Sequence, residues 1–193
     1  MKTNSLKYLR FGSLIFIAIC SLTLTGAQSA RAATNETRGQ LSSSDYKFVV
    51  DAAQGGMAEV SLAQLAEQKA ANPDVKQFAA RMVQDHSKAD QQLTQLASQK
   101  GATLPTAIPS SEQREMDRLR NLSGTDFDKA YMDHMVRDHK SDVKEFQRAS
   151  KRAKDPDVKS FAASTLPTLE DHLRMAENLD TTVKGQKTSA PGM

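Results

Sequence analysis

One octapeptide occurs twice in this 193-residue chain, and it sets the plan of the fold. Pro73-Asp-Val-Lys-Gln-Phe-Ala-Ala80 and Pro156-Asp-Val-Lys-Ser-Phe-Ala-Ala163 differ at a single position. Each copy follows a residue suited to capping a helix, Asn72 or Asp155, whose side chain accepts a free N–H of the first turn. The proline then falls at the first helical position, where no N–H is needed. An Asp-His pair follows both copies, thirteen residues past the proline at His86 and sixteen past it at His172. A second echo relates Met82-Val-Gln-Asp-His86 to Met135-Val-Arg-Asp-His139. Self-similarity of this kind marks a duplicated supersecondary unit. Here the unit reads as an αα-hairpin.

Four long amphipathic helices follow from the spacing of apolar residues and the scarcity of β-branched runs. They are expected over about 45–70, 72–101, 125–154 and 155–180, with Pro167 kinking or breaking the last. The segment 102–125 joins the hairpins. It contains Pro105 and Pro109, and its residues 111–122 read as a short helix. A linker of that length suits a crossing of the whole bundle, whereas an up-down-up-down bundle needs only a turn. The expected fold is all-α: a ferritin-like four-helix bundle of two αα-hairpins joined by a long crossover.

The ends read differently. Lys2, Lys7 and Arg10 precede a short apolar run from Phe11 to Leu24, and Ala30-Arg31-Ala32 fits an A-x-A cleavage pattern. Residues 1–32 are therefore expected to be an export signal, 33–43 a polar leader, 44–180 the bundle and 181–193 a flexible tail. The expected location is periplasmic. An uncleaved signal anchored in the inner membrane is the alternative, which the shortness of the apolar run disfavours. Cys20 lies within that run behind Ile19, where lipidation would want a small residue. Removing residues 1–32, which hold Lys2, Lys7, Arg10 and Arg31 and no acid, takes the formal charge from +3 to −1. The basic character thus belongs to the targeting segment, and nucleic acid is not an expected partner. No cysteine and no stable membrane span remain after signal removal, and about 160 residues suffice for one core.

All four histidines directly follow an aspartate, as Asp85-His86, Asp133-His134, Asp138-His139 and Asp171-His172. Helical spacing places His86, His139 and His172 near the middle of the apolar stripes of the second, third and fourth long helices. Glu59 takes the equivalent place on the first. Glu59 and His86 lie thirteen residues before and fourteen after Asn72, so both stand about 20 Å from the same turn. His139 and His172 are level about Asp155 in the same way. Glu59, His86, His139 and His172 are thus expected to form one polar layer, and His134 is not. Adjacent residues do not face each other on a helix, so Asp85 cannot orient His86, although it can reach a histidine on another helix.

Two readings of the layer stay open. It can bind a single transition-metal ion or small ligand, since imidazole and carboxylate are common metal ligands. It can equally be a structural layer that specifies register. Met82, Met135, Met175 and Met57 lie within about a turn of the layer. Met with His suits copper, but methionine is also ordinary core filler.

Four segments carry a family resemblance: Phe48-Val-Val-Asp-Ala-Ala-Gln-Gly-Gly-Met-Ala-Glu-Val60, Phe78-Ala-Ala-Arg-Met-Val-Gln-Asp-His86, Phe127-Asp-Lys-Ala-Tyr-Met-Asp-His-Met-Val-Arg-Asp-His139 and Leu166-Pro-Thr-Leu-Glu-Asp-His-Leu173. Over about residues 44–180 the chain resembles the exported bacterial family called domain of unknown function 4142. The resemblance implies a ferritin-like four-helix fold and an envelope location, and supplies no activity. Ferritin-like di-iron proteins place a Glu three residues before the ligand His on two helices. Here those positions hold Val83 and Leu169, which argues against a di-iron oxidase site. The leading expectation is an exported, non-enzymatic bundle whose partner is a metal ion or an unidentified envelope component. The alternatives are a metal-dependent oxidase or peroxidase of the envelope, and a purely structural or partner-binding bundle.

Overall fold

Helix starts in this chain are written as side-chain caps. In the computed structural model, which describes residues 38–185, Ser42 Oγ accepts from Asp45 N at 3.2 Å and opens α1, Ser43–Lys69. Asn72 Oδ1 accepts from Asp74 N at 2.8 Å and opens α2, Pro73–Lys100. That helix ends at Gly101, whose φ of 65° is the left-handed conformation glycine adopts without steric cost. A short helix in the connecting segment, α3, spans Ser110–Arg120. Two long helices complete the fold, α4 over Gly124–Arg152 and α5 over Pro156–Gly185. The second copy of the cap-plus-proline device works like the first, with Asp155 Oδ1 accepting from Asp157 N at 2.9 Å and Val158 N at 3.2 Å.

The direction of each helix follows from contacts at the two ends. Gln40 N donates to Lys100 O at 2.9 Å, and Lys100 Nζ lies 2.8 Å from an Asp155 carboxylate oxygen. The start of α1, the end of α2 and the α4–α5 turn therefore share the lower end. At the upper end, Asp128 near the start of α4 accepts from Ala71 N at 3.0 Å and Asn72 N at 2.8 Å in the α1–α2 turn. The segment 101–123 thus crosses the full height of the bundle. All neighbouring long helices run antiparallel, with α1 against α2, α4 against α5, α2 against α5 and α1 against α4.

The two hairpins clasp each other by a reciprocal device. Asp45, in the first turn of α1, is buried and accepts from Lys154 N and Asp155 N in the α4–α5 turn, at 3.1 and 2.9 Å. Asp128, about one turn into α4, does the same for the α1–α2 turn. Each carboxylate satisfies two amides that a tight interhelix turn would otherwise leave unpaired.

Two apolar cores result. The upper one gathers Leu62, Phe78, Met82, Leu119, Phe127, Tyr131 and Met135, and the lower one Phe48, Val49, Leu93, Phe146, Val158, Phe161 and Leu169. The histidine layer stands between them.

Three expectations change. Pro167 lies inside α5, which continues through it as one helix. Pro167 and Ala163, the residue whose carbonyl loses its helical donor, both lie on the exposed face, where solvent serves that carbonyl. The helix also runs five residues past the expected end at 180, because Val183 is wholly buried in the upper core. At the other end the leader is already packed at Leu41, which is buried in the lower core. The export signal over 1–32, residues 33–37 and residues 186–193 lie outside the described residues.

Candidate metal centre

Glu59, His86, His139 and His172 meet in the middle of the bundle, one from each long helix. All four are buried, with His139 and His172 wholly so. The three imidazole centroids form a triangle with sides of 5.3, 5.5 and 5.7 Å. Each histidine offers a ring nitrogen within 4.8 Å of those of the other two.

What each ring does with its two nitrogens is the informative detail. His139 Nδ1 lies 3.0 Å from Met135 O. A carbonyl only accepts, so Nδ1 carries the proton and Nε2 keeps the lone pair. His172 Nε2 lies 2.9 Å from Asp85 Oδ2, an acceptor on the neighbouring helix. His86 Nδ1 lies 2.9 Å from Glu59 Oε2. One nitrogen of every ring is thereby held by an oxygen. The remaining nitrogens, His86 Nε2, His139 Nε2 and His172 Nδ1, are buried without any hydrogen-bond partner, as is Glu59 Oε1. A buried polar atom without a partner costs about 1–3 kcal/mol. Four in one layer make a poor structural device and a good set of donors. An oxygen holding the far nitrogen of a ligand imidazole is how metal sites set tautomer and ring orientation.

The electrostatics agree with that role. Burial pulls His86 down to about 4, against the attraction of Asp90, Asp138 and Asp85. Burial and the two neighbouring rings take His139 to about 3. Burial takes His172 to about 4 despite its hydrogen bond to Asp85. The three imidazoles are therefore neutral at neutral pH, the form that binds a cation. Burial tends to raise Asp85, but the His172 and Arg81 hydrogen bonds outweigh it and keep the carboxylate ionised. Glu59 is pushed well above the usual carboxylate range by burial, then by repulsion from Asp138, Asp90 and Glu112. Asp142 is raised well above its usual range by burial first and by repulsion from Glu59 next.

A second set shares His139 with the histidine triad: Glu59, His139 and Asp142 also bring a donor atom each within 4.8 Å of one another. Below the layer lies a cavity of about 50 Å³ bounded by all four long helices. His86, His172 and Glu59 line it, as do Asp51, Asp90, Asp142 and Glu145. Ala52 and Thr165 also line this cavity, both half-buried. Asp90 was not legible as a site residue. Its signals are an i,i+4 relation to His86 and the glycine opposite it: a Cβ at Gly56 would overlap the Asp90 carboxylate. Burial raises Asp90 to about 6.

His134 stands apart from the layer. It is buried against the crossover helix, with ring nitrogens 3.5 Å from Glu112 and 3.7 Å from Glu115 of α3. The methionines at one turn's distance, Met82 and Met135, are wholly buried in the upper core.

Fold and centre together define a class, an all-α four-helix bundle with a buried histidine and carboxylate layer. Within it the chain belongs to the family described as domain of unknown function (DUF4142), matched over residues 30–179. A fragment of a DUF305 protein from Deinococcus radiodurans is similar in structure, with a TM-score of 0.66 at 17% identity, covering 74% of this chain and 98% of that one. CopM in a Cu(II)-bound form is similar with a TM-score of 0.62 at 14% identity, covering 72% and 96%. CopM in an Ag-bound form gives 0.60 at 16% identity over the same shares. At such identities these likenesses speak for the fold alone. A comparison with curated proteins finds no match.

Proposed function

We propose that this protein is an exported helical module that binds one transition-metal ion through His86, His139 and His172. Glu59 stands at the same layer as fourth donor and as the group that holds the His86 ring. The observation that carries the reading is the arrangement of nitrogens: one of each ring held by an oxygen, the other three buried and unpartnered in rings that meet in one layer. Neutral imidazole favours Cu(II) and Zn(II) over magnesium or calcium, and for such donors Cu(II) binds most tightly among first-row divalent ions. The fold's likeness to CopM, known in Cu(II)- and Ag-bound forms, is compatible with that class of cargo.

Residues 1–32 support export, and no helix among the described residues is long and apolar enough to cross a membrane. The role proposed is metal binding without turnover, since the histidine set lacks the Glu-x-x-His pairs of the di-iron oxidases. Titration of the purified protein with Cu(II) and Zn(II), read by bound metal per chain, is the test. One ion per chain is expected, lost in His86→Ala and His139→Ala. The reading fails if neither metal binds, or if His86→Ala leaves metal content and melting temperature unchanged.

A further inference from the structure

The cavity below the layer is acidic to a degree that its neighbours do not cancel. Six carboxylates line it, at Asp51, Glu59, Asp85, Asp90, Asp142 and Glu145, and no lysine or arginine does. Three of them have a basic partner on their own helix: Lys47 on Asp51, Arg81 on Asp85 at 3.2 Å and Arg148 on Glu145 at 3.3 Å. Asp90, Asp142 and Glu59 have no lysine or arginine partner among the described residues. Asp90 and Asp142 stand about one turn along their helices from His86 and His139, and Glu59 stands in the layer itself. The inner end of the cavity thus carries unpartnered donors that are more than nine-tenths buried, and its wall carries carboxyl oxygens with no basic partner.

We propose that this cavity is the route by which the cation reaches the histidine layer, with Glu59, Asp142 and His139 forming an oxygen-rich station where it is held first. The inference rests on the metal-binding reading above and adds a path and an order of events. Two ligand sets meet at His139. Its Nδ1 is committed to the Met135 carbonyl, so Nε2, 3.5 Å from Glu59 Oε1, is the nitrogen available to both sets. One nitrogen serves one ion at a time. An ion held by Glu59, Asp142 and His139 can keep its bonds to Glu59 and His139 while it exchanges the Asp142 oxygen for His86 and His172. Carboxylates also accept a partly hydrated cation more readily than a buried triad of imidazoles does, because they supply charge as water is shed. Clefts lined by one sign of charge raise the local concentration of the opposite ion.

Stopped-flow loading of the full chain with Co(II), followed by its visible absorption, tests this. In Asp142→Asn, which removes an oxygen ligand of the first station, the loading rate is expected to fall about tenfold, with the affinity falling far less. Asp90→Asn, checked for an unchanged fold, is expected to slow loading in the same direction. In wild-type protein the rate is expected to fall severalfold on raising monovalent salt from about 10 to about 300 mM, since salt screens the wall. Saturation is expected at one Co(II) per chain. Two ions bound together, a loading rate unchanged in Asp142→Asn, or an affinity loss carried wholly by faster release would each overturn the proposal. No Co(II) uptake by wild-type protein would instead overturn the metal-binding reading itself, which separates the two failures.

Discussion

Asp85 is the sharpest place to test the centre, because it touches no proposed metal position and should still control one. Its Oδ2 lies 2.9 Å from His172 Nε2, across the interface between α2 and α5, and its side chain is 26% exposed. The carboxylate fixes the proton of His172 on Nε2 and leaves Nδ1 with the lone pair, buried and unpartnered. Losing such a partner typically costs 10- to 100-fold in metal affinity, or about 1.4–2.8 kcal/mol. The substitutions should grade within that range. In Asp85→Asn the amide oxygen can still accept from Nε2, so the tautomer survives and only the charge is lost; about tenfold is expected. In Asp85→Ala nothing holds Nε2, and His172, wholly buried, has neither nitrogen partnered. About 100-fold is expected there, together with a loss of roughly 1–3 kcal/mol in the metal-free protein. Arg81→Gln removes the other partner of Asp85, an exposed ion pair, and should change affinity by no more than about a few fold. Chelator-competition titrations with Zn(II) near neutral pH measure the affinities, and urea melts measure stability. If Asp85→Ala bound metal as tightly as wild type while His172→Ala lost it, the assignment of the two His172 nitrogens would be wrong.

Three further outcomes are expected. The folded imidazoles sit below the usual 6.5, at about 4, 3 and 4 for His86, His139 and His172, so between about pH 4 and 6.5 they stay unprotonated where exposed histidines would not. Bound Cu(II) should therefore be retained near pH 5, and a loss midpoint at pH 6–6.5 in a metal-content titration would contradict their burial. Stability of the metal-free protein is a blunter readout. The histidines contribute stability that is present above 6.5 and lost as pH falls, whereas raised Glu59 and Asp142 contribute in the opposite sense. Asp45→Ala and Asp128→Ala each strip two turn amides of their acceptor and should cost about 1.5–3 kcal/mol in urea melts; a smaller change in both would show that the clasp is idle. Replacing Glu59, His86, His139 and His172 together with leucine should abolish metal binding while holding or raising the melting temperature, since the layer is not there for stability. A collapse of the fold with no change in metal content would favour the structural reading.

Much of this architecture could be read along the chain. The Asn-Pro and Asp-Pro starts, the repeated octapeptide and the length of the 102–125 segment pointed to two hairpins and a crossover, because caps and proline act through the nearest few residues. Counting residues from the turns levelled Glu59 with the three histidines, because rise per residue is constant along an α-helix. Local rules do not say whether a helix kinks or breaks at a residue such as Pro167. Its cost depends on whether the carbonyl it orphans faces solvent, and that is set by how α5 sits on its neighbours. Asp45 and Asp128 carried no sequence signal for their role, since each caps a turn more than fifty residues away.

The Asp-His dipeptides show where the division falls. Sequence determined that three of the four histidines point inward, because helical periodicity assigns a face to every residue. Which nitrogen of each ring is committed and which is left open was decided only by the packed bundle. Those partners, Asp85 for His172 and Glu59 for His86, come from helices brought alongside by tertiary contact, at distances no spacing along one chain can specify.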